Sequence, residues 1–193
     1  MELSKRQIEI IEASGKLLME KGILGLTTKN ISQEMNFTES ALYRHFKNKE
    51  EIISFLILYL AENINARFDA ILNSKLNPEE KFLEVFKSQL RFFKTNPHFI
   101  VIVLSDGLMD NSEDVKNSIK TIMQTNAIAF KSIIEEGQRL KIFKENIGSE
   151  YLVHFSMASF RLKMLKWKLE NFSFDIEKQG MRTMENLLTL IKN

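Results

Sequence analysis

The stretch "TESALYRHFKN", residues 38–48, sets hydroxyls, a carboxylate, a phenol, a guanidinium and an imidazole around Leu42 and Phe46. Neither a single apolar stripe nor a solvated charged face has that composition. The chemistry it suits is recognition. Tyr43 and His45 offer a hydroxyl and an imidazole N–H that match phosphate oxygens, and an aromatic ring can lie on a thymine methyl. Small residues among Thr38, Glu39, Ser40 and Ala41 would let a backbone approach a groove floor. Lys49 adds an electrostatic argument, because a lysine in the first turn of a helix opposes the macrodipole by about 0.3–1 kcal/mol. An anion docked at that terminus reverses the sign, since the lysine and the free N–H groups then cooperate. DNA phosphate is the obvious anion.

Bond-making chemistry has no comparable support. The sequence lacks a G-x-S-x-G elbow, an H-E-x-x-H pair and a phosphate-binding glycine loop. The Glu-Glu pairs at 50–51, 79–80 and 135–136 suit helix surfaces or N-terminal turns better than acid/base work. Three scattered histidines and no cysteine argue against a tight metal site, and His98 and His154 read as structural. No enzyme activity, metal or cofactor is expected.

The elements that must position these groups are helical. Apolar residues Ile8, Ile11, Ala13, Leu17 and Leu18 predict a helix over 4–21 beginning near Ser4, and Gly22 and Gly25 frame the connection after it. Thr28 is read as the N-cap of a short helix, 28–35, with Ile31 and Met35 inward. Asn36 falls where a tight interhelical turn needs a left-handed residue. Thr38 then caps a helix over 39–46 whose inward pair is Leu42 and Phe46. Three short helices with a tight second turn make a helix-turn-helix unit, in which the N-terminal end of the third helix reaches base edges.

Asn48 and Glu51 resemble a capping box opening a helix of about 49–73, apolar on most sides between Ile52 and Leu60 and so buried on more than one side. Pro78 starts a helix of about 79–94, "TNPHF" breaks it, and a short apolar helix, 98–105, follows. A loop is expected over 106–114, then helices near 115–137, 149–170 and 175–192, with Gly137 marking one break. Strand-period alternation and internal repeats are absent.

Composition agrees. Fifteen phenylalanines and 44% hydrophobic residues supply a core, and the scarcity of Pro (2) and Gly (7) suits helices. A formal net charge of only +2 means that any nucleic-acid binding rests on local placement. The absence of cysteine suits a reducing compartment. No signal-peptide pattern opens the sequence, and the apolar run 52–61 is too short to span a bilayer. A cytoplasmic, all-α protein is expected.

The segment "TTKNISQEMNFTESALYRHFKNKEEI", residues 27–52, resembles the DNA-binding signature of TetR/AcrR-type transcriptional regulators. The paired threonines, the inward Ile31, the L-Y-x-H-F core and the K-x-K-E exit carry the resemblance, which is most specific over about 4–53. It implies an N-terminal three-helix bundle, 1–48, as the DNA-binding domain, and a helical domain, 49–193, for effector binding and dimerisation. Residue by residue, Thr28, Tyr43, His45 and Lys49 become phosphate-contacting positions, and Thr38, Glu39, Ser40 and Ala41 the groove-facing set. Two positions depart from the pattern: Asn36 stands where the turn commonly has glycine, and Glu39 puts a carboxylate near phosphates, tolerable if it accepts from a cytosine amino group.

The same resemblance implies a pocket for a small apolar effector, with Phe86, Leu90, Met109, Met123, Phe130 and Met157 as candidate lining. Apolar residues on more than one face of 149–192 allow both a core and a dimer seam. Phe160, Met164, Trp167, Met184 and Leu188 are the residues assigned to that seam. The expectation is a homodimeric repressor released from a palindromic operator by its effector. A DNA-binding factor of the same fold governed by a protein partner, or by no ligand, is the alternative; a helical enzyme or carrier is more remote.

Overall fold

The computed structural model describes residues 3–105 and 112–193, and within them the regular structure is helical. Nine helices follow in order: α1 (Lys5–Gly25), α2 (Thr28–Glu34), α3 (Glu39–Leu42), α4 (Lys49–Leu72), α5 (Pro78–Thr95), α6 (His98–Val103), α7 (Glu113–Arg139), α8 (Ser149–Leu169) and α9 (Ile176–Ile191). Among the described residues the extended structure is one isolated bridge, Phe143 with Lys192. No helix among them is long and apolar enough to cross a membrane. The expected 106–114 loop and Met109 lie mostly or wholly outside the described residues.

Side-chain chemistry sets most helix starts. Ser4 and Gln7 form a reciprocal capping box at α1. Asn77 and Glu80 form another at α5, with Pro78 in the first turn where its missing N–H costs nothing. Asp175 accepts from the Lys178 N–H at 3.2 Å and opens α9; this bond and the Lys94 ammonium hold its carboxyl below the usual range.

Several boundaries differ from the sequence expectation. Thr27, not Thr28, caps α2, its hydroxyl accepting from the Asn30 N–H at 3.1 Å. Both threonines can cap, and the Asn30 side chain, donating to the Gly25 carbonyl at 2.7 Å, favours the earlier start. Gly137 does not end α7, which runs on to Arg139. Its role is close approach: the Phe143 ring lies where a Cβ would stand, and its carbonyl accepts from the Ile142 N–H at 2.8 Å.

The chain gathers into two compact units, Met1–Leu60 with Pro97–Ile122, and Ala61–Asn96 with Met123–Asn193. In the first unit Ile10, Leu17, Leu18, Ile31, Leu42, Ile52, Ile53, Leu56 and Ile57 form the core. There α6 crosses α1 closely enough that a Cβ on Gly15 would stand 2.8 Å from the His98 ring. In the second unit a ring cluster fills the interior. Phe86 lies 4.6 Å from Phe130 and 5.0 Å from Phe82 between centroids, and Phe68 and Phe143 extend the set. The Lys81 ammonium, almost buried, meets Glu136 at 2.9 Å and ties α5 to α7.

Candidate nucleic-acid interface

The first unit holds a short helix against a rigid support. Thr38 caps α3, its hydroxyl accepting from the Ala41 N–H at 3.2 Å and lying 2.9 Å from the Ser40 hydroxyl. The α-helix proper is only Glu39–Leu42; the chain continues through turns over 43–45, shorter than the expected 39–46. Leu42 and Phe46 are both buried, and the Phe46 ring meets Phe55 of α4 edge-on at 5.4 Å. From α1, the Gln7 amide donates to the His45 carbonyl at 3.3 Å, and the Arg6 guanidinium lies 4.4 Å over the Phe37 ring.

The turn before α3 is built as the sequence suggested. Asn36 takes φ 54°, the left-handed region that L-residues other than Asn and Asp seldom enter. Its N–H donates to the Gln33 carbonyl at 3.1 Å, and the Phe37 N–H donates to the Ser32 carbonyl at 2.7 Å. Those bonds satisfy carbonyls at the end of α2 and swing the chain sharply into α3.

What this support presents is polar. Thr38, Glu39, Ser40, Tyr43 and Arg44 are exposed, Ala41 and His45 half-buried. Glu39, the awkward position of the sequence reading, has a partner: the Thr28 hydroxyl donates to its carboxylate at 2.8 Å. The bond crosses from the first residue of α2 to the first of α3 and fixes the carboxylate's direction. Thr28 and Glu39 therefore act as one unit, and a hydroxyl spent on Glu39 is less free for phosphate.

Lys49 stands at the first position of α4, its ammonium 4.0 Å from Glu50, with Glu51 accepting from the Lys47 N–H. The Asn48 side chain accepts from the Glu51 N–H at 2.8 Å and caps the helix. The back-reach of Glu51 goes to Lys47 rather than to the cap itself, one residue off the expected capping box. Arg44 and Lys47 are exposed cations that the reading of the motif left unassigned. Their signal was plain in the sequence, where they alternate with the aromatics.

The remaining candidates lie elsewhere. In the second unit Phe86, Leu90 and Phe130 are buried, Met157 half-buried and Met123 about half exposed. The seam assignment meets a physical obstacle. Met164, Trp167, Met184 and Leu188 are buried inside the single chain, the Trp167 N–H donating to the Phe174 carbonyl at 3.0 Å, and Phe160 faces Phe86 at 5.5 Å. The apolar residues left open on α8 are Tyr151, Phe155, Leu162, Leu165 and Leu169. The two stripes share one helix, and spacing alone does not say which faces in.

Comparison with known proteins follows this geometry. Residues 10–54 match the model of bacterial regulatory proteins of the tetR family. The nucleoid occlusion factor SlmA of Aliivibrio fischeri is 29% identical over 132 residues, 68% of this chain and 67% of its own. Two solved structures share the fold over almost the whole length. The fatty acid degradation regulator FadR of Bacillus halodurans superposes with a TM-score of 0.87 at 13% identity, covering 97% of both chains. The FadR of Bacillus subtilis, solved in complex with stearoyl-CoA, gives 0.83 at 16%, covering 95% of this chain and 98% of its own.

Proposed function

We propose that the chain, whose residues 10–54 match the model of bacterial regulatory proteins of the tetR family, is a DNA-binding transcriptional regulator of that family and not an enzyme, working as a homodimeric repressor. It holds a palindromic operator and lets go when a small apolar effector binds. Residues 1–48 serve as the DNA-binding domain and 49–193 as the effector-binding and dimerisation domain, and the protein works in the cytoplasm, beside the chromosome. Thr38, Glu39, Ser40 and Ala41 enter the major groove, while Tyr43, His45 and Lys49, joined by Arg44, hold phosphate. Thr28 acts through Glu39.

The observation that carries this reading is the division of residues 38–46 into a buried pair, Leu42 and Phe46, and an exposed polar set, Thr38, Glu39, Ser40, Tyr43 and Arg44. The effector side draws support from the ring cluster around Phe86 and Phe130 and from the stearoyl-CoA bound by the Bacillus subtilis relative. For the dimer, the open stripe of α8, Tyr151, Phe155, Leu162, Leu165 and Leu169, repeats at steps of three, four and seven residues, the spacing of a helix-packing seam. Selection of bound fragments from the encoding genome, followed by gel shift, tests the reading. The wild type should enrich one inverted repeat, and Ser40→Tyr should lose that preference while keeping general DNA affinity. Unenriched fragments would sink it.

A second reading is favoured by the relatives named for nucleoid occlusion rather than for a ligand. Here the same DNA-binding surface answers to a protein partner or to no ligand. Failure of apolar compounds to release the selected repeat would favour it.

A further inference from the structure

Within the second unit one arginine is held between two helices with no carboxylate beside it among the described residues. Arg67 of α4 is half-buried, and no carboxylate lies within ion-pair reach of it among the described residues. Its guanidinium is held by neutral acceptors alone. Nε donates to the Asn63 side-chain oxygen at 2.8 Å, one terminal nitrogen to the Ser88 hydroxyl at 2.8 Å, and the other to the Gln89 side-chain oxygen at 2.7 Å. The Phe92 ring covers it at 4.7 Å. Gln89, itself buried, is oriented in turn by Asn126 at 3.4 Å. Burial pushes the guanidinium down to about 10, so it stays charged at neutral pH, and among the described residues no carboxylate offsets that burial.

Simple joining of α4 to α5 does not require this arrangement, because a neutral amide could make such bonds without burying a charge. A guanidinium has five N–H groups in a fixed fork. Three are used, one on each nitrogen, which leaves one N–H on each terminal nitrogen. That pair matches the two oxygens of a carboxylate or phosphate. The polar group also adjoins the ring cluster. Gln89 is three residues after Phe86 on α5, Asn126 is four before Phe130 on α7, and Phe68, next to Arg67, packs on Phe130 at 6.0 Å.

We propose that Arg67, with Asn63, Ser88, Gln89 and Asn126 around it, is the receptor for the oxyanion head of an amphiphilic effector whose apolar tail lies against the Phe86–Phe130 cluster. The inference rests on the effector reading above and narrows it from apolar compounds to anionic amphiphiles, with carboxylate and phosphate heads sharing the chemistry.

Isothermal titration of the full chain at pH 7 with dodecanoate, dodecyl phosphate and dodecanol, each below its micelle concentration, tests it without any variant. One or both anions should bind about tenfold or more tighter than the alcohol, the scale of one charge-assisted contact pair, and the tighter of the two identifies the head. Arg67→Met should bring anion and alcohol to parity, and circular dichroism checks that it is folded. Parity in the wild type, absence of anion binding, or an anion preference that survives in folded Arg67→Met would overturn the proposal. Operator release is read in parallel. Anion binding that leaves the operator held would keep this inference and remove the effector reading. Equal release by dodecanol and dodecanoate would do the reverse.

Discussion

Lys49 and Glu39 show how opposite charges can serve one surface. Lys49 sits in the first turn of α4 beside Glu50 and Glu51, where the macrodipole disfavours it, and an approaching phosphate turns that cost into a gain. Lys49→Ala should therefore weaken binding to all duplexes by a similar factor and lower the slope of log affinity against log salt by about one. Titrations by fluorescence anisotropy at several salt concentrations check this; an unchanged slope would remove Lys49 from the phosphate contacts. In the proposed interface Glu39, aimed by Thr28, is assigned to discrimination rather than affinity. His98 is a different case, half-buried at the start of α6 against Gly15 of α1, with burial pushing its imidazole down to about 4. The unfolded chain, with an ordinary value near 6.5, takes up this proton first. The stability from neutral His98 is therefore complete above about pH 6.5 and lost as pH falls toward 4. His98→Gln should flatten the melting-temperature profile between those limits.

At the scale of elements, caps and one turn hold α2 and α3 in the geometry that recognition needs. Thr27→Ala removes the α2 cap and should cost about 1 kcal/mol, and Asn36→Ala should cost about 1–2 kcal/mol by forcing a Cβ-bearing residue without a polar side chain into the left-handed region. Chemical denaturation measures both. Their effect on operator affinity should exceed their effect on stability if the turn sets the α3 angle, and Asn36→Gly should restore it. These elements were legible because each is decided locally. Ser4, Thr38 and Asn48 cap through their own side chains, and Asn36 turns the chain alone. Thr27 against Thr28 was not legible, since the choice depended on the Asn30 bond to Gly25. α3 ends at Leu42, short of the expected 39–46, and Gly137 serves the close approach of the Phe143 ring rather than a break.

The whole molecule was legible in its helical architecture and in its helix-turn-helix segment, where order, spacing and caps coincide within about fifty residues. The second unit was not, because its helices carry apolar residues on two faces and periodicity does not say which stripe meets the rest of the chain. Met164, Trp167, Met184 and Leu188 went inward. The proposed seam is thus the other stripe. Leu165→Glu, on that open face, should leave the protomer's unfolding free energy within about 0.5 kcal/mol of wild type. It should yield monomers in sedimentation velocity and abolish tight operator binding, since one α3 reads too few base pairs. Retained dimers would place the seam elsewhere. The central claim is that the exposed face of α3 reads sequence in duplex DNA. Its most direct test is the ratio of affinities for the selected inverted repeat and a scrambled duplex of equal length at physiological salt. A ratio of about 10³ or more, reduced toward unity by Ser40→Tyr, is the expected result; equal affinity of the wild type for both duplexes would contradict it.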